Sequence, residues 1–308
     1  MVLKGDLKMK EAYKPDLLPL KSGLIDNNYF LDELINSNAR LAVYKEKLID
    51  SKIDSQWVMP TLQKKEAIAS TKLEGTQATL DGVLIHQIEP KEEDLNINEV
   101  NNYFNASIYG MKFLRSEDFS KEFFCDIHKT LMSGNIRMRE NCKVGSYRTT
   151  QNFIGLVGDS HQITYVPPVP ENVDKLMNNL IAYMNKPNDN LHPLVRTAII
   201  HAQIETIHPF DDGNGRVGRI MIPLYLYAMG QISIPCFFIS EALESDKFRY
   251  YTLLNDIREK NNWNEWIKFF LQTVAKQCDK YIYIIAKIND CYEEHLKKAK
   301  DVIKNNSV

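Results

Sequence analysis

The stretch "LVRTAIIHAQIETIHPFDDGNGRVGRIMIPLYLYAMG", residues 194–230, decides how the chain is read. Its first fourteen residues form an apolar helical pattern that runs into His208, where Pro209 stops it. Asp211, Asp212, Gly213, Asn214 and Gly215 favour turns and left-handed backbone. A second apolar helix is predicted to start between Gly213 and Arg216. Its free N–H groups and dipole would make an anion site, and the glycines would let a phosphate approach the backbone. Arg216 and Arg219, three apart on one face, can converge on phosphate oxygens. A polyphosphate brings a divalent cation, and Mg²⁺ takes one or two carboxylates plus phosphate oxygens, which makes Asp212 the candidate metal ligand. His208 can take a proton from a hydroxyl near neutral pH. The combination predicts transfer of a phosphate-containing group to an alcohol. Taken singly, each feature has a plainer meaning: a structural histidine, a turn, a solvated arginine face. Asp211 is expected to face solvent.

Other chemistries lack their residues. There is no H-E-x-x-H zinc pattern, no EF-hand spacing and no P-loop signature. With 308 residues, 44% hydrophobic and 25% charged, the chain is an ordinary globular sequence. A net charge of -2 gives no global field for nucleic acid. Five scattered cysteines without a C-x-x-C pair read as reduced thiols. No signal core and no apolar run near the roughly 18 residues of a membrane span is present, so a cytoplasmic protein is expected.

Most of the remaining sequence carries helical spacing. Helices are predicted over about 27–50, through "SQWVMPTLQKKEAIASTKLEGT" to a stop at Gly75, and through "ENVDKLMNNLIAYMNK". Between them, "NFIGLVGDSHQITYV" reads as a hairpin pairing 153–157 with 163–166. A lone hairpin is too small to be a core sheet. The expected fold is mainly α with this small β-hairpin as a cover. Trp263, Trp266, Phe269 and Phe270 are expected in the core.

Residues 208–219 match the motif H-P-F-x-[D/E]-G-N-G-R-x-x-R at every fixed position, and on this the chain resembles the Fic family. "STKLEG" at 70–75 is similar to the family's inhibitory motif, and "GSYRTTQ" followed by "YVPP" resembles its flap. The resemblance runs from about residue 13 to about 275. It implies a Fic-type helical bundle, with an N-terminal region at 1–105 carrying an inhibitory helix at 58–75, a catalytic domain at 106–275 and a helical tail at 276–308. It implies a protein adenylyltransferase that moves AMP from ATP to a Ser, Thr or Tyr hydroxyl of a target protein. His208 would be the base and Asp212 the Mg²⁺ ligand. Gly213, Asn214 and Gly215 would form the anion hole, and Arg216 and Arg219 would hold the β- and γ-phosphates. Ser70 and Glu74 would be inhibitory, Glu74 pairing with Arg219 in place of the γ-phosphate. Ile163, Thr164 and Tyr165 are candidates for target and nucleotide contacts, and Tyr250 or Tyr251 for the adenine edge. Homodimers are common among similar proteins. Many of them carry a C-terminal winged helix, which is not expected in full in a sequence that runs to "KKAKDVIKNNSV", and this weakens the expectation of DNA binding. Alternatives left open are another nucleotide donor, removal of AMP, and a non-catalytic nucleotide-binding regulatory module.

Overall fold

A computed structural model describes residues 11–52, 55–89, 94–155, 165–233, 235 and 237–305. Helices dominate. A 3-10 turn at Asn27–Phe30, capped by the Asp26 carboxylate on the Asn28 N–H, leads into α1 (Leu31–Ile49). There follow α2 (Ser55–Leu73), α3 (Leu80–Ile88), α4 (Leu95–Phe113), α5 (Lys121–Leu131) and α6 (Pro170–Asn185). After these come α7 (Pro193–Ile207), α8 (Asn214–Ala228), α9 (Ser240–Ser245), α10 (Lys247–Lys260) and α11 (Trp263–Asn305). Thr79, Asp94 and Ser120 each cap the helix that follows through a side-chain oxygen, which satisfies amides the helix itself cannot.

The centre of the molecule is the α7–α8 pair. Every residue from Thr197 to Ile207 is buried, and so is every residue from Arg216 to Leu226. A helix that is apolar all round has to be surrounded. α8 and α11 pack on α7, and α4 and α5 pack on α8. Trp266 is fully buried and donates from its indole to the Ala198 carbonyl at 2.9 Å, which ties α11 to α7. Trp263, Phe269 and Phe270 are also in the core, as the sequence predicts. α1 lies along α11.

α2 reaches the centre through buried polar groups. Glu66 accepts from the Tyr103 hydroxyl at 3.0 Å, from the Ser240 amide at 3.0 Å and from the Ser240 hydroxyl. One carboxyl thereby joins α2 to α4 and α9. Burial pushes its pKa up, and the hydrogen bonds oppose that shift.

Three differences from the sequence expectation stand out. The helix predicted from 27 begins with the 3-10 turn, because the Asp26 cap tightens its first turn. α2 starts earlier and ends earlier than the expected 58–75, and Gly75 lies beyond it at φ 99°. Third, among the described residues the expected hairpin amounts to one antiparallel bridge, Ile154 with Tyr165, closed by bonds of 2.9 and 3.1 Å. Residues 156–164, including Ile163 and Thr164, lie outside the described residues. The expected divisions at 105/106 and 275/276 fall inside α4 and α11 respectively.

Candidate active site at the α7–α8 junction

His208 terminates α7 in a left-handed conformation, φ 51° and ψ 61°. A non-glycine residue holds such a backbone only when its surroundings over-determine it. Here they do. The buried Arg148 donates from Nε to the His208 carbonyl at 2.9 Å and from Nη2 to the carbonyls of Pro168, at 2.5 Å, and Ile207, at 3.4 Å. Its own amide donates to the Pro209 carbonyl at 2.9 Å. Arg258 donates to the Glu205 carbonyl at 3.0 Å. Two guanidiniums therefore satisfy the last carbonyls of α7 and complement its negative end.

The imidazole is held from the Nδ1 side. Asn214 accepts the Phe210 N–H at 2.8 Å through Oδ1, and donates from Nδ2 to the Phe210 carbonyl at 2.8 Å and to His208 Nδ1 at 3.0 Å. Asn152 donates to the same Nδ1 at 2.9 Å. Burial, followed by the charges of Arg258, Arg148 and Arg139, holds the His208 pKa well below the usual histidine value. The ring is neutral at physiological pH, as a proton acceptor must be.

The turn after His208 delivers the start of α8. Gly213 is its left-handed N-cap at φ 76°, and a Cβ there would lie 2.9 Å from Met132 Sδ. Only glycine meets both conditions. Arg216 is buried against Met132, with Nη2 3.5 Å from the sulfur and 3.7 Å from Asp212 Oδ1. Its Nε is buried without a partner among the described residues, so this guanidinium retains a donor to give. Asp212 keeps a side chain 30% exposed. Each of its carboxylate oxygens takes one backbone N–H, from Gly213 at 2.6 Å and from Arg139 at 3.0 Å, and each retains lone-pair capacity. Such a carboxylate beside the start of α8 fits Mg²⁺ bound mainly by phosphate oxygens and water. Asp211, expected to face solvent, accepts the Lys143 N–H at 3.1 Å, so both aspartates anchor the 139–143 loop.

His128 underpins this turn and was invisible to sequence reasoning. Its ring stacks on Phe210 at 3.9 Å and 3°. Nδ1 accepts the Gly145 N–H at 2.9 Å, and Nε2 therefore donates to the Asp212 carbonyl at 3.1 Å. Burial, chiefly, lowers its pKa to about 4, which keeps it neutral. Arg148 and Asn152 were missed too: Arg148 bonds carbonyls scattered along the chain, and Asn152 bonds the His208 ring and the Phe210 carbonyl.

From the opposite side, α2 brings Ser70 and Glu74. Arg219, 1% exposed, donates from Nε to Ser70 Oγ at 2.8 Å, and from Nη2 to the Ser70 carbonyl at 3.0 Å and to Glu74 Oε1 at 2.6 Å. A Cβ at Gly215 would collide with Glu74 Oε1. The carboxylate thus sits against the first turn of α8, where an anion is most favoured. Burial opposes its charge, but Arg219, Arg216 and Lys247 outweigh that and hold its pKa below the ordinary range. Lys247 also caps α2 by donating to the Leu73 carbonyl at 2.7 Å, and Lys72 pairs with Glu244 at 2.9 Å.

The tyrosines differ from expectation. Tyr165 is buried, donates to the Thr206 carbonyl at 2.7 Å and lies 3.9 Å under the Arg258 guanidinium. Tyr250 is fully buried with its hydroxyl 2.9 Å from His201 Nε2. Both side chains are committed to packing. On α10 one residue is a turn of about 100°, so Tyr251 presents a different face from Tyr250. It is 39% exposed, with Lys247 Nζ 5.8 Å over its ring, and is the tyrosine of the pair that remains open to a ligand.

Residues 118–226 match the Fic/DOC family and residues 31–112 match the Fic/DOC family N-terminal region, so the two patterns cover most of the chain up to Leu226. The protein adenylyltransferase Fic of Nematostella vectensis is 27% identical over 223 residues, 72% of this chain and 45% of that protein. The namesake protein of Drosophila grimshawi is 26% identical over 68% of this chain and 38% of its own length. The chain thus spans less than half the length of the curated relatives it matches. Two solved structures share the fold at a TM-score of 0.67: a Fic family protein from Desulfovibrio desulfuricans and a Fic domain containing signaling protein from Bacteroides thetaiotaomicron. The first is 22% identical over 84% of this chain and 76% of its own, the second 17% identical over 82% and 97%. With the central helical pair, its intervening motif and both family patterns in agreement, the chain belongs to the Fic/DOC family.

Proposed function

We propose that this chain is a self-inhibited protein adenylyltransferase, which moves AMP from ATP to a Ser, Thr or Tyr hydroxyl of a target protein. The observation that carries it is the 2.6 Å contact between Glu74 and Arg219 at the start of α8. A buried arginine beside the first turn of a helix, with a carboxylate already on it, has the charge and place of a phosphate site whose anion position is filled. In the transfer, the target oxygen attacks the α-phosphorus, pyrophosphate leaves, and His208 takes the hydroxyl proton. Gly213 to Gly215 present backbone amides to the phosphates, and Arg216 and Arg219 supply the charge that orients them. Asp212 would hold the Mg²⁺, which neutralises phosphate charge when bound. Glu74 on Arg219 excludes the γ-phosphate and leaves the α-phosphate out of line.

Mass spectrometry of the Glu74→Gly variant after incubation with ATP and Mg²⁺ tests this. A gain of one AMP on hydroxyl residues is expected, with loss of that gain when His208→Ala is added. Equal labelling of wild type and Glu74→Gly would overturn the inhibitory role, and labelling that survives His208→Ala would overturn the base. The donor base stays open, because Tyr250 is spent on His201 and does not read it. Running UTP, GTP and a phosphocholine nucleotide beside ATP decides the donor. Hydrolysis of AMP-modified protein by the wild type would add the reverse activity.

A further inference from the structure

α7 ends at Ile207, and a helix leaves its last carbonyls without partners of its own. Here the six carbonyls from 205 to 210 are all taken by groups outside α7. Arg258 Nη2 donates to the Glu205 carbonyl at 3.0 Å, and the Tyr165 hydroxyl to that of Thr206 at 2.7 Å. Arg148 donates from Nη2 to Ile207 at 3.4 Å, from Nε to His208 at 2.9 Å and from its own amide to Pro209 at 2.9 Å. Phe210 receives Asn152 at 3.1 Å and Asn214 at 2.8 Å.

Arg148, Asn152 and Tyr165 come from two neighbouring stretches, 148–154 and 165–168, which the Ile154–Tyr165 bridge joins. Arg148 fastens both. It is 2% exposed, and besides its bonds to α7 it donates from Nη1 to the Thr150 carbonyl at 3.2 Å and from Nη2 to the Pro168 carbonyl at 2.5 Å. Gln151 adds a bond to the Pro167 carbonyl at 2.9 Å. One planar guanidinium thus serves carbonyls on three separate stretches of chain. A lysine, a point charge on a flexible stem, has no such fork.

The residue held this way is His208. Its left-handed backbone, φ 51° and ψ 61°, is costly for a side chain branching from it, and that backbone sets where the imidazole leaves the chain. The phosphate-facing groups are secured by other bonds. Asn214 closes on Phe210, Arg219 on Ser70, and His128 on the Asp212 carbonyl. None of these bonds involves Arg148 or Tyr165. Placement of the imidazole and retention of a nucleotide therefore rest on different contacts and can be separated by substitution.

We propose that Arg148 and Tyr165 are positioning residues of the transfer: by holding the carbonyls of residues 206–209 they fix the backbone of His208, and with it the place at which the imidazole meets the target hydroxyl. Both act through that backbone and not on the reacting atoms. This rests on His208 being the base of the proposed transfer.

Two substitutions in the Glu74→Gly background test it. Arg148→Lys keeps the charge and serves fewer carbonyls, and Tyr165→Phe keeps the ring under Arg258 while releasing the Thr206 carbonyl. The rate constant for self-labelling at saturating ATP, per folded molecule, should fall about a hundredfold in the first, as for a reacting group misplaced by about 1 Å, and about tenfold in the second. KM for ATP should change less than about threefold in either. Nitrogen-15 spectra of the histidine-labelled chain, with and without each substitution, add a readout independent of activity, His208 being identified by the signal lost in His208→Ala. Its Nδ1 receives the N–H groups of Asn152 and Asn214, so its signal should move when the ring shifts. Self-labelling at the parent rate, an unmoved signal or a loss carried by KM overturns the proposal, and a lower unfolding midpoint as the sole effect marks a purely structural role. Should Arg148→Lys not fold, Tyr165→Phe decides by the same readings. If Glu74→Gly alone transfers no AMP, the functional proposal fails, and the spectra still decide the positioning.

Discussion

Replacing Glu74 by Gln keeps the shape of the side chain and removes its charge. In the structure Oε1 lies 2.6 Å from Arg219 Nη2, and the Glu74 side chain is 37% exposed while Arg219 is 1% exposed. Hydrogen bonds to charged groups contribute about 1.5–3 kcal/mol. Exposure of one partner screens the pair and selects the lower end, about 1.5 kcal/mol. Arg219 keeps both Ser70 contacts in the variant, so its own position is retained. Under the proposed competition, the lost stabilisation would appear in full as gained affinity for a γ-phosphate, because one guanidinium cannot serve both. Calorimetric titration with ATP and Mg²⁺ should therefore give a Kd about tenfold lower than wild type. At saturating ATP the same tenfold adds about 1.4 kcal/mol of ligand stabilisation, visible as a larger thermal shift. ADP, which ends at the β-phosphate, should show a much smaller difference between the two proteins. Equal ATP affinities, or an equal gain for ADP, would refute the competition.

Gly213→Ala places a Cβ on a residue at φ 76° and 2.9 Å from Met132 Sδ, and should cost about 1–3 kcal/mol by denaturant unfolding, with anion binding at the turn weakened in parallel. Glu205 gives a pH signature: burial first, against Arg219 and Arg258, pushes its pKa up to about 7. Its folded pKa lies above the unfolded value, so between about 4.5 and 7 the native state holds a proton that the unfolded chain has released, and stability falls as pH rises through that window, by at most about 3 kcal/mol. Glu205→Gln should abolish this decline, so that the variant gains on wild type when unfolding is compared at pH 8 and pH 5.5. His201, lowered to about 3 chiefly by burial, and His128, lowered to about 4, act in the opposite sense. The unfolded chain takes up protons below about 6.5 that these rings refuse, so stability falls with decreasing pH from 6.5 downward.

The local half of the site was legible. A proline after an apolar run, two aspartates, three glycines and a spaced arginine pair state their own geometry within twelve residues. So was the mainly helical fold, because the apolar spacing is long and regular. What could not be read is what reaches the motif from afar through backbone atoms. His128 supports Asp212 through a carbonyl, Arg148 caps α7 through carbonyls, and the 139–143 loop offers amides to both aspartates. Carbonyls and amides are present at nearly every residue, so no side-chain pattern announces such contacts. Glu74 and Arg219 are 145 positions apart, and only the family resemblance joined them in advance. Tyr250 shows the reverse failure. An aromatic pair near the site suggested the ligand, yet one helical step decides which ring meets His201 and which stays partly exposed.

Glu74 and Arg219 are parts of one polypeptide, and α2 is clamped at Glu66, Ser70 and Leu73. Under the proposed inhibition, the local concentration of this carboxylate at Arg219 is set by the geometry of one chain. Only a molecule that favours the withdrawn arrangement of α2 over the docked one can shift the balance, and by no more than the difference between its two affinities.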